Sequence, residues 1–208
     1  LSPDQTRYVS IDAVNHVVEA ATTTVTNPFA ISLAAETIRL VHQWLPAALA
    51  DPCDLKARYQ LCYAAMQAGV AFDNGLLHFT HALEHPLSAV SPDLSHGLGL
   101  AVLLPAVILE CYPARPDVLA HILAPLAPGL KGLPEEAPQA AKAVEQWLAS
   151  VGVPQKLEDL GVTAADVDKF CDLVEQTPSL GLLISVAPVE GTRERVARIY
   201  NNSLKPMA

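Results

Sequence analysis

Histidine spacing is the feature of this sequence that most directly suggests chemistry. Four of the seven histidines fall in the stretch 78–96, at His78, His81, His85 and His96. In a helix that advances about 100° per residue, the first three lie on one stripe, so their imidazoles can converge on a single point. The fourth is followed by glycine, at an expected junction between a loop and a helix.

A carboxylate and an imidazole are also spaced for one helix face near the N-terminus. Asp12 and His16 are four residues apart, which places them on adjacent turns. One carboxylate with several imidazoles suits Zn²⁺ or Fe²⁺, whereas Ca²⁺ requires mostly oxygen ligands and thiophilic sites would use cysteine. Because the four cysteines do not cluster with the histidines, the residues predict a site for one divalent transition metal.

Each pattern also has a structural alternative. An aspartate and a histidine four residues apart are more often a helix-terminal acid beside a solvated histidine. For His78, a solvent-facing position or a supporting contact to a ligand is favoured over a role as a further metal ligand. We assign no functional role to His42 and His121. Cys62 and Cys111 lie in apolar helical contexts and are expected to be small core residues, as is Cys171.

The elements that position these residues are predicted to be helices. Apolar residues recur mostly at helical spacing, without convincing strand alternation, which predicts an all-α bundle of roughly eight to ten helices. Pro86 is expected to end a helical stretch and to begin a loop that extends to Ser95. The predicted helices cover 12–24, 27–50, 54–85 with interruptions near Gly69 and 74–75, 96–112, 117–126, 135–151, 164–175 and 192–202.

Composition and charge exclude several classes of protein. With 208 residues, 51% of them apolar, the chain can bury one substantial core. A formal net charge of −9 and the lack of a basic cluster argue against nucleic acid as a partner. The sequence shows no signal peptide and no unbroken apolar run of membrane-spanning length, so no membrane partner is expected. The scattered cysteines are typical of a reducing cytoplasm.

Several separated segments form a recognisable pattern, namely Asp12–Ala20, Ala71–Gly75, His81–Leu87, Ser95–Ala101 and Leu104–Pro105. Together they resemble the iron-containing (group III) alcohol dehydrogenases. They occur in the order of that family and close to its spacing, and the resemblance covers nearly the whole chain, although it thins after Leu126. It implies the helical, metal-binding C-terminal domain of the dehydroquinate synthase-like superfamily. The loop between His85 and His96 is one residue longer than the family pattern.

The resemblance assigns roles to individual residues. The implied metal ligands are Asp12, His16, His81 and His96. His85 corresponds to a residue near the nicotinamide and the substrate and is the candidate catalytic proton carrier. Phe72 and Leu77 match positions that line the substrate pocket of the family. The expected metal is Fe²⁺, with Zn²⁺ as the alternative.

The implied function is that of an NAD(P)-dependent alcohol dehydrogenase that interconverts small alcohols and aldehydes or ketones, with the metal polarising the substrate oxygen. Two alternatives remain open. The chain could be a metal-binding or interaction module without catalysis. A metal-dependent hydrolase is the third hypothesis, because the same ligands could activate water.

The family carries a dinucleotide-binding domain before its helical domain, and no glycine-rich strand–turn–helix unit of that type occurs in this sequence. We therefore interpret 1–10 as a remnant of the interdomain linker and 11–208 as the helical domain of a longer parent protein. The missing cofactor domain is the expected partner, and the chain alone is expected to be inactive. An exposed apolar face near Phe72 would favour a homo-oligomer.

Overall fold

The computed structural model describes residues 1–207, and in this part of the chain it contains ten α-helices and no strand, which confirms the all-α prediction. Four short 3₁₀ helices occur at Tyr112–Ala114, Pro134–Glu136, Glu158–Leu160 and Ala164–Asp166. The α-helices are α1 Pro3–Thr22, α2 Pro28–Ala50, α3 Leu55–Gly75, α4 Phe79–Val90, α5 His96–Cys111, α6 Pro116–Ile122, α7 Ala137–Ser150, α8 Val167–Gln176, α9 Pro178–Ser185 and α10 Arg193–Ser203.

Helix α1 begins at Pro3 rather than at the predicted Asp12. The Ser2 side chain accepts a hydrogen bond of 3.1 Å from the backbone N–H of Gln5, and proline in the first turn lacks only an N–H that would be unpaired there. Most of the predicted linker, 1–10, is therefore helical. Since Asp12 lies in the middle of α1, it is not the helix-terminal acid of the structural alternative.

Pro86 lies inside α4 and does not end it, so the prediction of a loop from this residue is wrong. Proline removes one backbone hydrogen bond, but the helix continues because Leu87 is buried in the core. The backbone N–H of Ser91 then bonds to the carbonyl of Leu87 at 2.8 Å, which closes the last turn. The loop is thereby shortened and begins after Val90.

Helix α9 is not predicted by the sequence pattern. Of its eight residues only Leu180 is buried, so its apolar residues do not form the periodic buried face that identifies an amphipathic helix. It packs against α4 and α8.

Helix α5 is the centre of the core. Its side chains at Leu100, Leu103 and Leu104 are fully buried, and α1, α4, α7 and α10 pack around it. The window His96–Ala114 is long and apolar enough to cross a membrane by length and composition alone, yet 72% of it is buried inside the fold. That burial is typical of the central helix of a folded domain.

Two glycines allow α3 and α5 to approach α1 closely. A Cβ on Gly75, at the end of α3, would lie 2.3 Å from the carbonyl oxygen of Ala20, and one on Gly97, at the start of α5, would lie 2.4 Å from that of Tyr8. No side chain fits at either position. These contacts fix the end of α3 and the start of α5 against the helix that contains Asp12.

Helix α10 is joined to α5 through a charged contact at Glu110. This largely buried carboxylate accepts hydrogen bonds from Arg198 at 2.9 Å and from Arg195 at 3.0 Å. Those hydrogen bonds outweigh the effect of burial and lower the pKa of Glu110. Because its pKa is lower in the folded chain than in the unfolded one, the contact stabilises the fold above the unfolded pKa and is lost as the pH falls through the folded value.

We expect Glu110→Gln to lower the free energy of unfolding by about 1–2 kcal/mol at pH 7, because two guanidinium groups lose their anionic partner. The loss should be smaller at pH 4, which lies below the ordinary pKa of glutamate, because the carboxylate of the unfolded chain begins to protonate there. Urea unfolding followed by circular dichroism at both pH values measures it. The control is Glu36→Gln, which removes an exposed pair with Arg39 and should cost no more than about 0.5 kcal/mol. An equal cost of Glu110→Gln at both pH values would contradict the assignment.

Candidate metal centre

Three of the four predicted metal ligands converge. Asp12 in α1, His81 in α4 and His96 in α5 each offer one ligand atom, and these atoms all lie within 4.8 Å of one another. Nε2 of His81 is 3.5 Å from Oδ1 of Asp12, and the ring centroids of His81 and His96 are 5.5 Å apart. Three helices therefore meet at one point through side chains that can bind a metal.

The arrangement fits a divalent cation. Oδ1 of Asp12 and Nε2 of His81 are both buried, and neither has a partner in hydrogen-bonding geometry within residues 1–207, although Nδ1 of His16 lies 2.9 Å from Oδ1. Buried polar atoms without partners destabilise a fold, and a cation between these two atoms would satisfy both. The donor set of one carboxylate with imidazoles is the one that Fe²⁺ or Zn²⁺ accepts.

His16, the fourth predicted ligand, lies beside this group without being part of it. Its ring centroid is 4.5 Å from that of His81. Its Nδ1 lies 2.9 Å from the carbonyl oxygen of Asp12, which can only accept, so Nδ1 bears the proton and Nε2 remains for a ligand role. Its role as a metal ligand stays a prediction.

Two buried glutamates contact the histidines from behind and were not predicted as site residues. Glu19 accepts a hydrogen bond from Nδ1 of His81, and Glu84 accepts one from Nδ1 of His96. Both carboxylates are fully buried. Since each holds the proton on Nδ1, Nε2 of each imidazole keeps its lone pair for a metal.

A weak signal for these glutamates exists in the sequence. Glu19 follows Asp12 by two helical turns on the same face, and Glu84 follows His81 by three residues. The same spacing also occurs on solvated helix faces, so the pattern alone does not distinguish the two interpretations.

The carboxylates change the charge state of the site. Burial would lower the pKa of His81, but Glu19 and Asp12 outweigh burial and raise it to about 9. Burial would raise the pKa of Asp12, but His16 and His81 hold it well below its ordinary value. A divalent cation bound between Asp12 and His81 would replace the proton that the raised pKa favours on His81.

His78 lies outside the helical stripe on which the sequence placed it. It precedes α4, and its side chain is fully buried, which excludes a solvent-facing role. The chain reaches it through Leu76, whose φ of 63° and ψ of −178° are ordinarily adopted by glycine. Nε2 of His78 is 2.9 Å from Oγ1 of Thr22, and Nδ1 is 3.6 Å from Oε1 of Glu19. It therefore supports the group behind His81.

His85 and Phe72, two of the other predicted site residues, lie beside histidines of the metal group. His85 is exposed, with its ring centroid 5.9 Å from that of His96. The ring of Phe72 is 5.1 Å from that of His16, and Leu77 is half-buried. A cleft of about 210 Å³ beside His85 has walls that include Pro86, Leu173 and Leu180.

A larger cavity lies away from these residues. It has a volume of about 500 Å³, and its walls come from α8, α9 and α10 and the segment that precedes α10, including Ile184, Val189 and Arg193. We locate the chemistry at the histidines rather than in this cavity, because none of the predicted ligands lines it.

Residues 6–204 match the sequence model of a family described as the Fe-containing alcohol dehydrogenase family, C-terminal. The chain is 55% identical over 203 residues to the long-chain primary alcohol dehydrogenase AdhA of Thermoanaerobacter ethanolicus. This alignment covers 98% of the chain and 51% of that protein. It is 34% identical over 200 residues to 1,3-propanediol dehydrogenase of Citrobacter freundii, and this alignment covers 95% of the chain and 50% of that protein.

Solved structures show the same fold. A crystal structure of 1,3-propanediol oxidoreductase superposes with a TM-score of 0.87 at 30% identity, over 98% of this chain and 52% of that one. The alcohol dehydrogenase from Oenococcus oeni gives a TM-score of 0.88 at 27% identity, over the same shares of the two chains. The chain thus spans about half the length of the relatives that it matches.

We expect the chain to bind one divalent metal ion. Alanine at Asp12, His16, His81 or His96 should weaken metal binding, because each change removes a bond to the metal that the other ligands do not replace. His85→Ala should leave the metal content unchanged, which makes it the matched control. Elemental analysis of the purified variants measures the stoichiometry. Full metal retention by His81→Ala would refute the assignment.

Proposed function

Because this chain belongs to the iron-containing alcohol dehydrogenase family, we propose that it forms the metal-binding part of an NAD(P)-dependent alcohol dehydrogenase. The main support is the convergence of Asp12, His81 and His96, with two buried atoms that lack hydrogen-bond partners within residues 1–207. The names of the relatives above add support, since both are dehydrogenases of alcohols. The dinucleotide would be bound mainly by the half of the relatives that this chain does not cover.

The protein side chains have separate tasks in this proposal. A bound Fe²⁺ or Zn²⁺ would supply the Lewis acidity that polarises the substrate oxygen, and a bound nicotinamide would supply the hydride acceptor. Asp12, His81 and His96 hold the metal, with His16 as the proposed fourth ligand. Glu19 and Glu84 keep His81 and His96 in the tautomer and orientation that this binding requires.

His85 is the proposed proton carrier. Desolvation lowers its pKa, the carboxylate of Glu84 opposes that shift, and His81 and His96 add to it, so the net effect is a lowered pKa. The imidazole is therefore neutral near pH 7 and can accept a proton from an alcohol hydroxyl or return one in the reverse direction. Its exposure lets it exchange that proton with solvent.

We propose primary alcohols with an apolar chain as the substrate class. Phe72 lies beside His16, and the cleft beside His85 has apolar walls at Leu173 and Leu180. The 55% identical relative is named for long-chain primary alcohols. Each buried methylene would contribute about 0.8 kcal/mol, or roughly fourfold in kcat/KM, until the apolar surface is filled.

In the full-length protein that contains this chain, we expect metal-dependent reduction of NAD⁺ or NADP⁺ with primary alcohols, and kcat/KM that rises from ethanol to hexanol. His85→Ala should lower kcat by about 10²–10⁴-fold, because a general acid–base group is lost while the metal stays bound. Steady-state assays with each cofactor, together with metal analysis, measure both effects. The control is His42→Ala, which changes an exposed histidine on α2.

Two results would contradict this function. The first is a metal-loaded protein that reduces neither cofactor with any alcohol of the series. The second is cofactor-free hydrolysis of esters or phosphate esters that depends on His81, which would favour the hydrolase hypothesis instead. Metal binding without any turnover would favour the non-catalytic module.

A further inference from the structure

A line of buried polar groups continues behind His81, away from the proposed metal. Glu19 and His78 are fully buried, and Thr22 is nearly so. Besides its bond to His81, Glu19 accepts a hydrogen bond of 2.5 Å from the backbone N–H of Thr80 through Oε1. The same oxygen faces Nδ1 of His78 at 3.6 Å, and the opposite nitrogen of that ring contacts the Thr22 hydroxyl. The contacts connect Thr22, His78, Glu19 and His81 in sequence.

The position of His78 calls for a physical reason. A fully buried imidazole loses its hydration, and its Nδ1 forms no hydrogen bond within residues 1–207. That nitrogen nevertheless points at a carboxylate. If Nδ1 bears the proton, the N–H dipole is attracted to Glu19, whereas a lone pair there would be repelled. In the first tautomer, the Thr22 hydroxyl donates its proton to Nε2 at 2.9 Å rather than to the carbonyl of Val18 at 2.7 Å.

With this tautomer, His78 helps to hold the Glu19 carboxylate in place. The carboxylate then accepts hydrogen bonds from the Thr80 backbone and from Nδ1 of His81, and the N–H of His78 faces it at 3.6 Å. Together these contacts disfavour rotation of the carboxylate away from Nδ1 of His81. Partners beyond the ligands commonly determine ligand orientation and metal affinity in this manner.

We propose that His78 is a positioning residue of the metal centre, which acts through Glu19 to hold His81 with Nε2 directed at the metal. This inference rests on the proposed role of His81 as a ligand. His78 is not among the grouped ligand atoms, and its side chain acts on His81 through the Glu19 carboxylate.

Metal affinity of the protein tests the proposal. With Zn²⁺ competed against a chromophoric chelator, Glu19→Gln should weaken binding by about 10–100-fold, and His78→Leu by about tenfold, at the lower end of that range. His78→Gln retains an N–H donor that can face Glu19 and should restore most of the affinity. The double variant Glu19→Gln/His78→Leu should bind no more weakly than Glu19→Gln alone, because both changes act through one contact. His42→Gln is the control and should bind as wild type.

A spectroscopic measurement on the unsubstituted protein avoids any effect of substitution on folding. Long-range ¹H–¹⁵N NMR of the zinc-loaded protein assigns the tautomer of each histidine. We expect His78 to be neutral with its proton on Nδ1. A proton on Nε2 instead would place a lone pair against Glu19 and overturn the proposal.

The metal-binding measurements distinguish a wrong role of His78 from a wrong metal centre. If the wild-type protein binds no metal, or if His81→Ala binds it normally, the metal centre itself is wrong. If the ligand variants behave as expected but folded His78→Leu keeps wild-type affinity, or if the double variant shows the sum of the two losses, only the role of His78 is refuted.

Discussion

A buried carboxylate destabilises a helical core unless opposite charge or several donors face it, and two such groups lie between α1, α4 and α5. Glu19 and Glu84 are both fully buried, and each faces the Nδ1 nitrogen of a histidine. Nε2 of His81 lies 3.5 Å from Oδ1 of Asp12, and a ring nitrogen of His96 belongs to the same group of ligand atoms, which lie within 4.8 Å of one another. The arrangement of the central helices depends on these pairs, because a shift of one helix would separate a buried carboxylate from the histidine that faces it.

The pairs connect the helices in a fixed order. Helix α1 contributes the ligand Asp12 and, two turns later, the glutamate that orients His81 of α4. Helix α4 in turn contributes His81 and the glutamate that orients His96 of α5. Each of the first two helices thus provides a ligand and also the support for the ligand of the next. The close approach of α5 to α1 at Gly97 maintains this geometry at the start of α5.

The sequence predicts the helical class, most of the helices and the residues that converge, but it does not predict the contacts that orient them. Glu19 and Glu84 stand at helical spacing that is equally typical of a solvated face, so only tertiary packing reveals their burial. The place of His78 depends on the backbone at Leu76, where a leucine adopts a conformation that usually requires glycine. Helix α4 continues past Pro86 because Leu87 is buried in the core. The local helix propensity of proline does not predict this tertiary contact.

Anomalous diffraction from crystals of the metal-loaded protein tests the central claim most directly, because it locates the metal without reference to activity. We expect a single peak at the metal absorption edge, at about 2.0–2.2 Å from Oδ1 of Asp12 and from Nε2 of His81 and His96. Glu19 and Glu84 should still contact Nδ1 of the two histidines. A metal bound through Nδ1 of either histidine, or a peak outside the group of Asp12, His81 and His96, would contradict the account.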